Sequence, residues 1–282
     1  VLLLVLIFGW PLLRAIAQSF TLRNLQTGLV STFGGWSNYQ RLLGDGRFAQ
    51  SLTNTFGFTL ISVSLELLLG LATALLLHRS FAGRGLLRTV ALLPWALPTA
   101  LIALTWRWIY NDQYGILNDL LQRLHLIASP VNWLGEPGLA LGAAIFADVW
   151  KTTPFIAIIL LAGLQAIPEE LYEAHQLDGA SAWQSFRRIT LPLLVPQLLI
   201  ATLFRFAQAF GVFDLIVVLT GGGPAGSTES VALYIYNTLM RYLDFGYGAA
   251  LVVVTVLLLV LGVGAIALLA SRFGAFAREE QG

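Results

Sequence analysis

Residues 167–196, IPEELYEAHQLDGASAWQSFRRITLPLLVP, form the longest charged segment that keeps a helical pattern without being apolar enough to cross a membrane. Apolar runs enclose it on both sides. Pro168 suits a first helical turn, and Glu169 and Glu170 follow where the positive end of the helix dipole favours acids. The pattern predicts a short helix ending at about Leu177. Asp178 and Gly179 then supply a break, because aspartate can cap the next helix and glycine adopts backbone angles that other residues avoid. A second short helix is expected from Ser181 to Arg188, closed by Arg187 and Arg188 at its negative terminus. A charged helix–turn–helix hinge beside a membrane is expected to act as a docking device.

Composition decides the solvent around that hinge. Apolar residues make up 57% of the 282 positions and charged ones 11%, and mean hydropathy is +0.77. A soluble domain carries about a quarter charged residues, so this is an integral membrane protein. A spanning helix needs roughly 20 apolar residues to cross about 30 Å of hydrocarbon. Six stretches qualify, at about 1–19, 53–77, 87–110, 138–165, 191–219 and 247–270. Each is continuously apolar rather than alternating, which fits helices and not barrel strands. No long Pro/Ser-rich linker or low-complexity tract interrupts them, so residues 1–282 read as one all-α membrane domain with its hinge at 167–190. The chain opens inside an apolar run at Val1, with no methionine and no basic segment before it, so the native start is expected upstream. A cleaved signal peptide over residues 1–17 is the rival reading, which Pro11 and Arg14 fit poorly.

Orientation follows from the short connections, where an excess of Lys and Arg marks the cytoplasmic side. The loop His78–Arg88 carries Arg79, Arg84 and Arg88 and no acid, which places it inside. The 167–190 hinge, two spans later, falls on the same side, as does the tail with Arg272 and Arg278. The loop holding Asp112, Asp119 and Glu136 against Arg123 falls outside. Arg23, Arg41 and Arg47 in the first outer segment disagree mildly. That segment carries less weight because Gly34-Gly35 and Gly44-Asp45-Gly46 mark it as turn-rich folded surface.

Charges within the spans are costly in hydrocarbon and usually face a partner or a wet cavity. Glu66 lies midway along the second span. Asp148 and Lys151, three apart in the fourth, share a helix face and can pair. Arg205 and Gln208 have the same spacing in the fifth, with Asp214 further toward its outer end. Two readings stand: structural ion pairs holding the bundle together, or polar faces of the fourth and fifth spans meeting in one cavity. Among the aromatics, Trp106, Trp108 and Tyr110 read as an interfacial belt. Phe204, Phe206, Phe210 and Phe213 read as packing, and Phe155 and Phe210, near the polar positions, are candidates to stack on the apolar face of a sugar.

Several chemistries are excluded. The sequence holds no cysteine, hence no disulfide or thiol chemistry. No GxxxxGK[ST] occurs, so this chain does not bind ATP through a P-loop. The run Leu219-Thr220-Gly221-Gly222-Gly223-Pro224 lacks the following Lys-Ser/Thr and reads as a tight loop. His78, His125 and His175 lie in three separate connections at no metal-ligand spacing, so no metal site is expected, and neither GxSxG nor HExxH supports a hydrolase. A net charge of +1 gives no basic face for nucleic acid.

Glu173-Ala174-His175, then Asp178-Gly179-Ala180, then Ile189-Thr190-Leu191-Pro192 resemble the EAA signature of permease subunits in bacterial binding-protein-dependent ABC importers. Trp150 to Phe155, Phe210 to Asp214 and the LTGGGP run are similar to the carbohydrate-uptake branch, on the maltose/trehalose-type or glycerol-phosphate-type first permease subunit. One departure is His175, where the family usually has a second Ala. The resemblance covers nearly the whole chain and implies the type I importer permease fold of six transmembrane helices.

That resemblance also implies partners and a bacterial inner-membrane location with both termini cytoplasmic. In such importers the hinge docks into a groove on a dimer of separate ATPase subunits, which bind ATP and Mg. A second, homologous permease completes the pore, and an extracytoplasmic sugar-binding protein delivers the cargo. Glu173 would be the prime ATPase contact, within a coupling loop of Ala174, His175, Asp178, Gly179 and Ala180. The family's sugar contacts fall at Asp148, Lys151, Thr152, Phe155, Arg205, Gln208, Ala209 and Val212. Because Lys151 and Arg205 come with Asp148 and Asp214, a neutral di- or oligosaccharide or glycoside is the expected cargo. The alternatives are a glycerol-phosphate-type permease and, from another class, an ion-coupled secondary transporter using Glu66, Asp148 or Asp214 as a proton site. The last should show inverted repeats and broken helices, and neither is read in these apolar runs.

Overall fold

A computed structural model describes Ile7 and residues 9–279. In chain order its helices are α1 (Trp10–Ser19), α2 (Ser37–Leu43), α3 (Gly46–His78), α4 (Arg84–Ala96), α5 (Thr99–Ile109), α6 (Ile116–Arg123), α7 (Pro137–Gln165), α8 (Glu169–Leu177), α9 (Ala182–Phe210), α10 (Asp214–Leu219), α11 (Val231–Tyr236) and α12 (Phe245–Glu279). A small antiparallel hairpin of β1 (Thr21–Asn24) and β2 (Leu29–Phe33), not expected from the sequence, joins α1 to α2.

Among the described residues four helices, α3, α7, α9 and α12, are each long and apolar enough to cross a membrane alone. The second expected span is longer than its apolar core because Asp45 caps it early, accepting the backbone N–H groups of Arg47 and Phe48. The fourth falls where expected. The first, at about 1–19, lies partly outside the described residues, and α1 is its described part.

Two expected spans are broken. The 87–110 stretch is not one helix but α4 and α5, bent by 91°. Proline explains it: Pro94 has no N–H to donate, and Leu97, before Pro98, is forced into extended backbone (φ −80°, ψ 144°). The 191–219 stretch is also interrupted. Helix α9 stops at Phe210, Gly211 to Phe213 leave the helix, and α10 restarts with Asp214 in its first turn. The carbonyl of Val212, freed by this break, accepts a hydrogen bond from Ser230 Oγ at 2.7 Å.

The long helices approach closely where side chains are absent. A Cβ on Gly70 of α3 would lie 2.5 Å from Ile156 Cγ2 on α7, and one on Gly163 of α7 would lie 2.8 Å from Leu194 Cδ1 on α9. In a bilayer such small-residue contacts, rather than hydrophobic expulsion, bring helices together.

At the end of the bundle opposite α8, charged groups tie the elements together. Arg47 is bidentate to the buried Glu229 (2.7 and 2.8 Å) and donates to Tyr242 OH at 2.9 Å. Arg41 pairs with Asp244 at 2.7 Å. Tyr234 OH donates to Asp45 Oδ2 at 2.5 Å, and Tyr247 OH donates to the same oxygen. Burial raises the Asp45 pKa, but the two tyrosine hydroxyls and the helix-start amides outweigh it and hold the carboxyl below its ordinary value. The Thr220–Gly226 loop is tight as expected, with Gly221, Gly222 and Gly226 in the left-handed region.

Some aromatic expectations need correction. Tyr110 does not belong to an exposed belt: it is buried, stacks on Trp106 at 5.2 Å and donates its hydroxyl to the Ala143 carbonyl at 3.2 Å. Its long side chain folds inward because the mid-bundle alanines of α7 leave room for it. Phe204 faces out of the chain instead of packing within it.

Candidate functional site in an intramembrane cavity and a charged hairpin

The intramembrane charges meet at one arginine. Arg205 on α9 donates from Nε to Glu66 Oε2 (2.5 Å) and from Nη2 to Glu66 Oε1 (2.8 Å) and Asp148 Oδ2 (2.9 Å). Its Nη1 donates to Gln208 Oε1 at 2.9 Å. Thr152 Oγ1 lies 2.6 Å from both Glu66 Oε1 and its own helix's Asp148 carbonyl. Three helices, α3, α7 and α9, are thus joined through a guanidinium whose planar fork serves two carboxylates and an amide together. The expected Asp148–Lys151 pair does not form. Asp148 turns to Arg205, and Lys151 makes no ion pair within 4 Å among the described residues.

Beside this network lies a cavity of about 330 Å³. Six of the eight expected path residues line it: Asp148, Lys151, Thr152, Arg205, Gln208 and Val212. Ala209 does not, being packed in the core with Phe58 and Leu215. Phe155 stands one layer back, stacked on Trp95 with centroids 5.3 Å apart. Phe210 offers no face to a ligand, since it is buried against Phe206 and edge-on to Phe56.

The breaks in the third and fifth spans supply the rest of the wall: Trp95 and Thr99 flank the α4–α5 bend, and Gly211, Phe213, Asp214 and Leu215 come from the α9–α10 break. Sequence reading missed Trp95 and Thr99. The available signal was the pair Pro94 and Pro98 inside an otherwise apolar run.

The second feature is the α8–α9 hairpin. Helix α8 covers Glu169–Leu177 as expected, and Gly179 turns the chain with φ +78°. The second helix differs from expectation in two ways. Ser181, not Asp178, caps it, in a capping box with Gln184. It also does not end at Arg188 but passes a π-helical turn at Phe186–Thr190 straight into the membrane helix. Arg187 and Arg188 are therefore mid-helix.

Two side-chain contacts clamp the hairpin: His175 Nδ1 to Ser185 Oγ at 3.0 Å and Tyr172 OH to Thr190 Oγ1 at 2.9 Å. His175 and Ala180 are half-buried, whereas Glu173, Ala174, Asp178 and Gly179 are exposed. Also exposed, and missed by sequence reading, are Leu177 (89%) and Trp183 (68%) on either side of the turn. Apolar side chains this open beside Glu173 make a surface suited to a protein partner. Among the described residues no cluster of three His, Asp or Glu side chains offers a metal site.

Residues 66–274, which include the Arg205 network, the cavity and the hairpin, match the family described as the binding-protein-dependent transport system inner membrane component. The chain belongs to that family. This permease is 50% identical over 226 residues, 80% of its own length and 76% of the other's, to the trehalose/maltose transport system permease protein MalF of Thermococcus litoralis. It is 40% identical to the sulfoquinovosyl glycerol transport system permease protein SmoG of Agrobacterium fabrum, over 89% of this chain and 81% of that one. Its fold is that of a bacterial ABC transporter involved in the import of the acidic polysaccharide alginate, with TM-score 0.82 and 22% identity over 96% of this chain and 92% of that one. It is similar as well to a bacterial alginate ABC transporter solved in complex with an alginate pentasaccharide-bound periplasmic protein (TM-score 0.80, 22% identity, covering 95% of this chain and 89% of that one). The family is one of multi-pass transport permeases of the inner membrane, not of enzymes.

Proposed function

We propose that this permease forms one half of the translocation path of an ATP-driven sugar importer, with a neutral di- or oligosaccharide or glycoside as cargo. The observation that carries this reading is the cavity into which six expected path residues converge. Its charge balance favours a neutral ligand. Arg205 is engaged by Glu66 and Asp148, which leaves Lys151 and Asp214 as the lining charges outside any ion pair among the described residues, one of each sign. A sugar's hydroxyls accept from an ammonium and donate to a carboxylate, whereas a phosphate would meet one cation and one repelling acid.

The α8–α9 hairpin, with Glu173, Leu177, Gly179 and Trp183 at its surface, is the contact for a dimer of separate ATPase subunits that bind ATP and Mg. A second homologous permease closes the path, and an extracytoplasmic sugar-binding protein feeds it. The hairpin end faces the cytoplasm, with both chain termini on that side. Arg41 and Arg47, whose charge opposes this orientation, are held in ion pairs with Asp244 and Glu229 instead of lying free in a short connection. Bending of α4–α5 is a feature of secondary transporters as well. Membership of a binding-protein-dependent family favours ATP drive over ion drive.

The test is uptake by the reconstituted complex with competitors. Neutral disaccharides are expected to compete and glycerol phosphate is not, and transport is expected to stop without ATP. Competition by glycerol phosphate alone, or uptake driven by a proton gradient without ATP, would overturn the proposal.

A further inference from the structure

We infer that Tyr172 and His175 are positioning residues for coupling: with the π-helical turn at Phe186–Thr190 they lock α8 in register with α9, the helix that carries Arg205 and Gln208. This rests on the coupling role proposed for the hairpin and deepens it, because it names the contacts through which a push on α8 reaches the membrane. It also gives a task to His175, the one departure from the EAA signature.

Attachment is the first support. The second arm of the hairpin runs unbroken from Ala182 to Phe210. Helix α8, by contrast, follows α7 through extended backbone at Pro168 (φ −60°, ψ 134°) and holds no buried residue. A cavity of about 1170 Å³, lined in part by Tyr172, Ser185, Phe186 and Thr190, opens beside it. Apolar packing therefore does little to fix α8. Among the described residues its side chains bond to α9 at two places, Tyr172 OH with Thr190 Oγ1 at 2.9 Å and His175 Nδ1 with Ser185 Oγ at 3.0 Å. Ser185 and Thr190 are both buried, where a hydroxyl needs a partner.

Register is the second. Tyr172 and His175 are three apart on α8 and share a face. Their partners Ser185 and Thr190 are five apart, which in a regular α-helix would point them about 140° away from each other. The π-helical turn removes most of that offset. Leu191 N–H donates to the Phe186 carbonyl, five residues back, so the widened turn holds an extra residue and brings position 190 close to the line of position 185. Pro192 favours such a turn: it has no N–H to donate, and its ring crowds the carbonyl of Arg188 four residues back. Returned to α geometry, the turn would set α9 off by one residue relative to α8, about 100° and 1.5 Å. The two clasps hold the hairpin against that slip.

The experiment uses the reconstituted complex with its ATPase, partner permease and binding protein, and reads sugar transported per ATP hydrolysed. Tyr172→Phe and Thr190→Val each remove one hydroxyl at nearly constant volume. Losing one neutral hydrogen bond shifts the balance between clasped and open arms by about two- to tenfold. Each variant is expected to lower the ratio about threefold while ATP hydrolysis continues. The two combined should do no more harm than either alone, and Thr190→Ser, which keeps the hydroxyl, should stay near wild type. Tyr172→Phe with His175→Ala leaves neither clasp and is expected to lower the ratio about tenfold. The chain has no cysteine, so spin labels on Leu171→Cys and Arg188→Cys, with the partner chains' cysteines replaced, report the spacing of the two arms. That distance distribution should broaden when both clasps are removed.

An unchanged ratio or a wild-type distance distribution in the variant lacking both clasps would overturn the inference and leave the coupling role of the hairpin intact. Additive losses from Tyr172→Phe and Thr190→Val would overturn it as well, since the two would then act separately. Sugar uptake that needs no ATP in the wild-type complex would overturn the coupling role, and the inference with it.

Discussion

At the scale of single residues, Arg205 organises the membrane interior. Glu66 is fully buried, and among the described residues its carboxylate is hydrogen-bonded by Arg205 and Thr152. Removing the guanidinium strands a buried charge, a loss of roughly 3–5 kcal/mol when one member of such a pair is deleted. Arg205→Ala should therefore lower the melting temperature of the detergent-solubilised complex sharply, while Glu66→Gln combined with Arg205→Gln should recover part of it, Asp148 still being left without the guanidinium. A double variant as unstable as the single one would argue against the pairing. Asp45 makes a pH prediction of definite sign. Its folded pKa lies below the unfolded value of 3.8, so its contribution is complete above that value and disappears as pH falls through the lower folded one. Wild type should lose thermal stability more steeply than Asp45→Asn between about pH 4 and 3, and parallel curves would contradict the assignment. The identities of the intramembrane charges were legible in the sequence because charge in hydrocarbon stands out. Their pairing was not. Helical spacing allied Asp148 with Lys151, whereas three-dimensional approach gave Asp148 to an arginine 57 residues away.

At the scale of elements, the hairpin was legible nearly to the residue for α8 and its Gly179 turn, and misread beyond it. A continuous helix from Ala182 to Phe210 makes the hairpin rigidly part of a membrane span instead of a tethered module. The π-helical turn at Phe186–Thr190 is the one irregularity between the two, and such turns recur at functional sites. On the proposed coupling role, Glu173→Arg should reverse the surface charge presented to the ATPase. Gly179→Asp places a side chain at φ +78°, where only glycine rests without cost. Both variants are expected to cut sugar uptake by at least tenfold while membrane insertion and binding-protein affinity persist. Wild-type uptake by either would remove the hairpin from the coupling path. The broken spans were illegible for a different reason. Hydropathy registers how apolar a stretch is but not whether its backbone bonds continue, so Pro94, Pro98 and Gly211 passed as tolerated interruptions of long greasy runs.

At the scale of the whole molecule, the all-helical membrane bundle follows from composition and run length, and the close approaches follow from glycine. Gly70 faces Ile156 at a distance no Cβ tolerates, so Gly70→Val should destabilise the α3–α7 pair by about 1–3 kcal/mol. Shortening the neighbour with Ile156→Ala should return part of that loss in a thermal melt, and no recovery would place the strain elsewhere. Another property follows from the Arg47–Glu229 and Asp45–Tyr234 contacts, which fasten the start of α3 to the segment just before α12. A beam held at one end magnifies rotation along its length. Helix α3 has 33 residues, about 50 Å of beam, with Glu66 about 30 Å from the fastening and His78 at the far tip. Tilting it by roughly 5° displaces the tip by about 4 Å and the Glu66 carboxylate by less than about 3 Å. Seen mechanically, the molecule is a reducing lever, turning a large stroke at the hairpin end into a small adjustment where the cargo would sit.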